Sequence, residues 1–311
     1  MTELASADRS IIDLPKELKD DLIQIGSALP AWSVEDTFLA EPTIVEYRDK
    51  LRAAHLFDDF RSSLLSTLND PTTGYAVVRL GDIVRELGSG EDFLRLATAI
   101  LTEIATPFQP FQRWPLWKEL GTNLNANPGM STGTGYNAFH MDVVNSTFPP
   151  DYSTLLCVRP DPLGAGASIL SNARAAVSRL SLSSRDLLAD VAYRYGSFFD
   201  LANVGKEYSP FPILDGEPDN RGFVRFTAKM LAESELDEKH AQAARELAEE
   251  LVAGQVSYRL LRGDILIVNQ HFAVHGREPL AEGQHDVVPE DRRLLLQLFL
   301  RDRTTIGSSA S

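Results

Sequence analysis

Three observations in the sequence predict a mainly β core with flanking helices. The first 70 residues space their apolar side chains by three and four, which indicates helices. From about residue 115, short runs of β-forming residues alternate with Gly, Pro, Asn and Asp, as in a protein of many short strands. A single helical pattern, over 236–254, interrupts those strands. Neither an internal repeat nor a linker divides the chain, so residues 1–311 are expected to form one domain.

The amino-terminal third is predicted to be a helical elaboration followed by a strand. Residues 15–29 and 45–68 carry the helical spacing, and residues 1–70 are expected to pack outside the sheet. The segment GYAVVRL, residues 74–80, predicts a strand. Ser89, before an acidic first turn, is predicted to cap a helix over 89–105.

The rest of the chain supplies the strands of the core. The helix over 236–254 ends at a glycine placed like a C-cap, and residues 255–269 predict two strands joined at an Arg-Gly-Asp turn. Residues 291–302 predict a late strand. The Pro-, Gly- and Asp-rich segment 205–223 reads as a long loop, either a lid over a substrate or an ordinary surface loop.

Composition argues against several classes of protein. The formal net charge of −14, without a compact basic cluster, disfavours nucleic acid as a partner. The longest apolar runs, 265–268 and 294–300, are far shorter than the roughly 20 residues of a membrane span, and the amino terminus does not resemble a secretory signal. Cys157 is the single cysteine, so no disulfide framework is expected. A cytoplasmic protein is therefore expected, and the sequence does not indicate its oligomeric state.

A candidate metal site begins with His140 and Asp142. About one His-x-Asp/Glu triplet is expected by chance in this composition, so the triplet alone means little. In an extended segment, however, residues i and i+2 point to the same side, which would present the imidazole and the carboxylate together. Without further context, a strand histidine more often only satisfies hydrogen bonds in a core.

A second histidine completes the pattern. His275 follows the apolar segment ILIV, and with His140 and Asp142 it would form a triad of two histidines and one carboxylate. Such a triad leaves positions open on a six-coordinate metal and suits non-haem Fe(II) that must bind a cosubstrate and O2. A ligand role for His271 is not favoured, because a strand rather than a helix precedes it.

An arginine could anchor the cosubstrate. In DRRLLLQLFLRD, Arg292 shares one face with four leucines, whereas Arg293 shares the face that holds most of the polar groups. We therefore expect Arg292 to point inward and Arg293 to face solvent. An inward arginine can bind the distal carboxylate of 2-oxoglutarate through two parallel hydrogen bonds.

These motifs resemble a known enzyme family. The run FHMDVVNSTFPPDYSTLLCVRPDPLGAGASIL, then AVHGREPL, then DRRLLLQLFLRD, resembles the Fe(II)/2-oxoglutarate oxygenases of the taurine dioxygenase and clavaminate synthase group. The likeness is nearer the clavaminate synthase-like branch, which hydroxylates amino acids, and it extends over about residues 74–302. It implies a double-stranded β-helix, the jelly-roll or cupin-like core, with Fe(II), 2-oxoglutarate and O2 as reactants.

By position, the resemblance makes His140, Asp142 and His275 the iron ligands and Arg292 the cosubstrate arginine. Ser168 stands where the family usually has a threonine that assists this arginine. The resemblance implies hydroxylation of an unactivated C–H of a small metabolite, an amino acid or a natural-product intermediate. Halogenation is not expected, because Asp142 stands where family halogenases have Ala or Gly.

The sequence departs from the family in two respects: the gap from His275 to Arg292 is about three residues longer than usual, and many amino-acid hydroxylases of this branch have His-x-Glu. Desaturation, ring closure and a catalytically silent jelly-roll binding protein remain alternatives.

Overall fold

Two facing β-sheets form the centre of the fold in the computed structural model, which describes residues 10–32, 39–110, 114–146, 149–196, 209–216, 222–233 and 236–302. The strands are β1 (Ile11–Asp13), β2 (Tyr75–Arg79), β3 (Thr106–Phe108), β4 (Lys118–Gly121), β5 (Asn137–His140), β6 (Tyr152–Arg159), β7 (Ser168–Asn172), β8 (Leu214–Asp215), β9 (Phe223–Val224), β10 (Val256–Tyr258), β11 (Asp264–Asn269), β12 (Ala273–Arg277) and β13 (Leu294–Arg301). Within these ranges the larger sheet has the order β1-β2-β11-β6-β13-β3, and β4 also pairs with β13. The smaller sheet has the order β10-β7-β12-β5, so β5 lies at its edge.

Helices cover the outer face of each sheet. The helices are α1 (Lys16–Ala28), α2 (Glu41–Arg52), α3 (Phe57–Leu68), α4 (Gly81–Leu87), α5 (Glu91–Thr102), α6 (Ala173–Arg179), α7 (Leu182–Ala189), α8 (Met230–Glu233) and α9 (Glu238–Ala253). Helices α1 to α5 share one apolar core with the larger sheet, and α6, α7 and α9 share another with the smaller sheet. No helix in these described ranges is long and apolar enough to cross a membrane.

The central strands of the larger sheet are buried on both faces. In β11, Ile265 and Ile267 point into the helical layer, whereas Leu266 and Val268 point into a third apolar cluster between the two sheets. The period of two explains the alternation, and the covering helices explain why both faces are apolar. The space between the sheets is therefore lined by one alternate set of side chains from each strand.

Several sequence predictions need correction in detail. Ser89 does not cap α5; the N-cap is Gly90, which lacks a side-chain cap. The pattern over 45–68 forms two helices, α2 and α3, because the backbone turns at Leu56, whose φ is 65°. The two strands predicted in 255–269 exist, but β10 and β11 belong to different sheets.

The candidate lid over 205–223 is only partly described. Residues 205–208 and 217–221 lie outside the described residues, and β8 pairs with β9 across the second of these gaps. The aromatic ring of Phe223 stacks on His271, with ring centroids 4.2 Å apart. A lid role for this segment stays a prediction, as does the treatment of residues 1–311 as one domain.

Candidate metal centre and its cavity

Two histidines meet across a pair of antiparallel strands. His140 ends β5 and is the cross-strand partner of His275 in β12, and their ring centroids lie 4.5 Å apart. His140 Nδ1 lies 2.8 Å from the carbonyl oxygen of Ala138, to which it donates when protonated. That bond fixes the tautomer that leaves the Nε2 lone pair available to a metal ion.

Asp142 brings a carboxylate to the same point from the turn that follows β5. Its Oδ1 lies 3.8 Å from His140 Nε2, and its Oδ2 lies 3.3 Å from His275 Nε2. One ligand atom from each of the three residues falls within 4.8 Å of the others, a separation that a single ion can bridge. The triad that the sequence predicted is thus assembled in space, although β5 ends before Asp142.

The backbone around Asp142 is held in an unusual conformation. Val143 has a φ of 56°, which a β-branched residue rarely adopts and which costs about 1–3 kcal/mol. The Gln270 side chain pins this turn, because its Oε1 accepts from the Asp142 N–H at 2.7 Å and its Nε2 donates to the Pro150 carbonyl at 2.8 Å. Gln270 therefore fixes the backbone position from which the Asp142 side chain extends.

The carboxylate itself is oriented by two further donors. Ser153 Oγ donates to Asp142 Oδ2 at 2.5 Å, and Gln297 Nε2 donates to the same oxygen at 3.1 Å. With Oδ2 so engaged, Oδ1 is the oxygen left to coordinate an ion.

His140 and Asp142 have the protonation states that metal binding requires. Burial lowers the pKa of His140 to about 4, with a smaller effect from His275, so the imidazole is neutral near pH 7. Burial alone would raise the pKa of Asp142, but the charge and hydrogen bond of His275 outweigh it and hold that pKa well below its usual value. A neutral imidazole and an ionised carboxylate are the forms that bind a cation. The donor set therefore fits a divalent ion of the Fe(II) type.

A cavity opens in front of the triad between the two sheets. It is lined by Arg293, which directly precedes β13, and by the alternate β13 residues Leu295, Gln297 and Phe299. Ser168 of β7 lines it from the smaller sheet.

The expectation that Arg292 points inward and Arg293 faces solvent is wrong. Arg293 is buried and lines the cavity, whereas Arg292 lies outside it, partly exposed, and donates from Nε to the Val287 carbonyl at 3.0 Å. The predicted alternation of side chains along β13 is correct, but the leucine face, which includes Leu296 and Leu298, packs against the helices. The polar face of β13 is the one that looks into the cavity. Burial lowers the pKa of Arg293 to about 10, with a smaller effect from Arg277, so the guanidinium stays charged at pH 7.

A family model built for dioxygenases matches most of the chain. The match, to the family described as taurine catabolism dioxygenase TauD, TfdA family, covers residues 51–297 and so includes both sheets and the whole triad. The chain belongs to the TauD/TfdA family. This confirms the family that the motifs predicted.

Individual relatives agree with the family. The chain is 33% identical over 156 residues to an L-asparagine oxygenase of Streptomyces coelicolor, a match that covers 49% of this chain and 43% of that protein. The fold of this chain resembles that of an asparagine oxygenase solved with Fe(II), 2S,3S-3-hydroxyasparagine and succinate (TM-score 0.76, 23% identity, 97% of both chains). The non-heme iron oxygenase OrfP, solved with Fe and alpha-ketoglutaric acid, is equally similar (TM-score 0.76, 17% identity, 97% of both chains). The predicted mainly β core with flanking helices is thereby confirmed.

Some residues of this TauD/TfdA-family site were not predicted from the sequence. They include Gln270, Gln297 and Ser153, which come from three separate segments. Only Gln297 has a signal in the sequence, as an isolated polar residue inside the apolar run LLLQLFL. Lys118 and Lys229 also line the cavity, although neither belongs to a motif.

Proposed function

We propose that the protein is an Fe(II)- and 2-oxoglutarate-dependent dioxygenase that hydroxylates a C–H bond of a small, amino-acid-type metabolite. The observation that carries the proposal is the meeting of His140, Asp142 and His275 at one wall of a cavity that also contains a buried arginine. When bound, Fe(II) with 2-oxoglutarate supplies the activation of O2 for oxidation of the substrate.

The protein's own residues have distinct tasks in this proposal. His140, Asp142 and His275 hold the ion, and the cavity in front of them orients the substrate and limits access of water. Arg293 replaces Arg292 as the residue proposed to bind the distal carboxylate of 2-oxoglutarate. A planar guanidinium can form two parallel charge-assisted hydrogen bonds with a carboxylate.

Ser168 is proposed to assist Arg293. It is 3% exposed, lines the same cavity and lies opposite Arg277 in the sheet register. A hydroxyl at this place can donate a further hydrogen bond to a carboxylate.

An amino-acid-type substrate is proposed from the relatives. The similar solved structures include one with hydroxyasparagine and one with a dihydroxylated arginine. A complete set of three ionisable ligands with a buried arginine favours a working enzyme over a silent binding protein that kept only the fold. Desaturation and ring closure use the same site, and the mass of the product distinguishes them from hydroxylation.

The first experiment is an anaerobic titration of the protein with Fe(II) and 2-oxoglutarate. We expect a weak visible charge-transfer band, followed under air by succinate release and a product one oxygen heavier than the substrate. His140→Ala should abolish both the band and succinate formation. His285→Ala, which removes an exposed histidine that is not among the described lining residues of the cavity, is the matched control. A colourless mixture with the unmodified protein would count against the proposal.

A further inference from the structure

A buried arginine holds the turn that carries Asp142. The Arg225 guanidinium donates from Nη1 to the carbonyl oxygen of Ser146 at 2.7 Å and to that of Val144 at 3.2 Å. Arg225 is 8% exposed and is not among the described residues that line the cavity. It therefore acts on the metal centre through the backbone of the turn and not by contact with a bound molecule.

The guanidinium is itself fixed from another side. Its Nε donates to Asp215 Oδ2 in β8 at 2.5 Å, and the backbone N–H of Arg225 donates to the Ile213 carbonyl at 2.7 Å. The ring centroids of Phe211 and Phe223 lie 5.9 and 6.0 Å from its Cζ. A planar guanidinium has several donors in fixed directions, so one side chain can join a carboxylate on one segment to carbonyls on another. Arg225 thus ties the turn to the β8–β9 hairpin.

The main chain that follows Arg225 is attached to the metal-binding strand. The Met141 N–H donates to the Phe226 carbonyl at 2.8 Å, and the Ala228 N–H donates to the Phe139 carbonyl at 3.0 Å. This segment therefore pairs with the edge of β5. Because its backbone is fixed there, the side chain of Arg225 extends to the turn from a defined position.

Val143 explains why the turn needs this second anchor. Its φ of 56° lies in the left-handed region, where a β-branched residue is strained. Gln270 holds the N–H of Asp142 before Val143, and Arg225 holds the carbonyls of the turn after it. A strained residue keeps such a conformation only when the surrounding structure imposes it. Without the second anchor, Val143 can relax to a negative φ, and the Asp142 side chain would turn away with it.

We infer that Arg225 is a positioning residue for the metal centre. It holds Val143 in the left-handed conformation and thereby keeps the Asp142 carboxylate beside His140 and His275. The inference rests on the proposed metal site and adds to it a residue that touches none of the three ligands' donor atoms. Its loss should weaken metal binding by more than its effect on the stability of the fold explains.

The test is anaerobic calorimetric titration with Mn(II), with the Tm of each metal-free variant measured in parallel. Arg225→Met should lower the affinity for Mn(II) by about 10-fold, the lower end of the range for groups that orient a metal ligand. Asp215→Asn is the matched control, because it removes the ion pair but leaves Arg225 to donate to both carbonyls. It should lower the Tm and leave the affinity near that of the unmodified protein. Arg225→Lys keeps the charge without the planar fork and should show a smaller loss than Arg225→Met.

A second substitution separates a role in positioning from a role in stability. Glycine adopts a positive φ without steric cost. Val143→Gly, added to Arg225→Met, should therefore recover most of the lost affinity, although it restores none of the hydrogen bonds of Arg225. A purely structural role for Arg225 predicts no recovery, because glycine also increases the freedom of the unfolded chain and lowers the stability further.

The outcomes separate this inference from the proposed function. If the unmodified protein does not bind Mn(II), the proposed metal site fails and the inference fails with it. If it binds and Arg225→Met binds equally well, the inference alone is overturned. The same holds if Asp215→Asn loses as much affinity as Arg225→Met, or if Val143→Gly recovers none. Where Arg225→Met does not fold, unchanged affinity in Arg225→Lys overturns the inference.

Discussion

Replacing Gln297 with leucine should weaken binding of Fe(II) without unfolding the protein. Gln297 is buried, and its Nε2 donates to Asp142 Oδ2 at 3.1 Å. A hydrogen bond to a charged group contributes about 1.5–3 kcal/mol, and each 1.4 kcal/mol corresponds to about a tenfold change in affinity. Because Ser153 still donates to the same oxygen, we expect the lower end, about a tenfold loss. Leucine has nearly the volume of glutamine, so it leaves no large cavity.

The assay is anaerobic calorimetric titration of the protein with Fe(II), or with Mn(II) as a redox-stable substitute. The double variant Ser153→Ala with Gln297→Leu should lose about 100-fold in metal affinity, since Asp142 then loses both the hydroxyl and the amide donor. Gln284→Leu is the matched control, because Gln284 makes the same kind of bond, 2.8 Å long, to Asp161, which is not a proposed ligand. Wild-type affinity in the double variant would refute the view that these donors orient the ligand.

Two further predictions concern the cosubstrate and the dependence of stability on pH. Arg293→Met should raise the KM for 2-oxoglutarate by about 10- to 100-fold, as expected for loss of a charge-assisted bond, whereas Arg292→Met should change it little; the reverse result would restore the original sequence-based choice. His240 lies 2.8 Å from Asp237 and 3.1 Å from Asp190, and these carboxylates raise its pKa. Protonated His240 therefore stabilises the folded state, fully so when the pH is below the unfolded-state pKa of about 6.5. This stabilisation is lost as the pH rises from that value through the higher pKa of the folded state, so the Tm should fall over this pH range. His240→Asn should flatten that fall, and an unchanged slope would contradict the assignment.

The sequence predicted the cluster of two histidines and one aspartate because its signal is local and the chemistry of a metal site is restrictive. His140 and Asp142 stand two apart, His275 follows a recognisable apolar strand, and few residue types bind Fe(II). The donors around Asp142 could not be predicted in this way. Gln270 and Gln297 reach it only through tertiary structure, and glutamine has no pattern that distinguishes a buried donor from a surface residue.

The error over Arg292 and Arg293 has a physical cause. An alternating strand is ordinarily interpreted with its apolar face toward the core, and β13 does have such a face. That face is covered by the amino-terminal helices, whereas the polar face lines the cavity in front of the triad. In a strand that is buried on both sides, alternation shows which side chains share a face, but it does not show which face lines the site.

The pairing of β5 with β12 links metal binding to the stability of the folded protein. β5 is a four-residue edge strand, and its partner comes from the other half of the chain, so the binding site exists only after the smaller sheet has closed. An ion that joins His140 to His275 fastens this edge, and at a free concentration 100 times its Kd it stabilises the folded state by about 2.7 kcal/mol. Removal of the metal should therefore make this edge more sensitive to proteases, which would link the abundance of the protein to the supply of the metal.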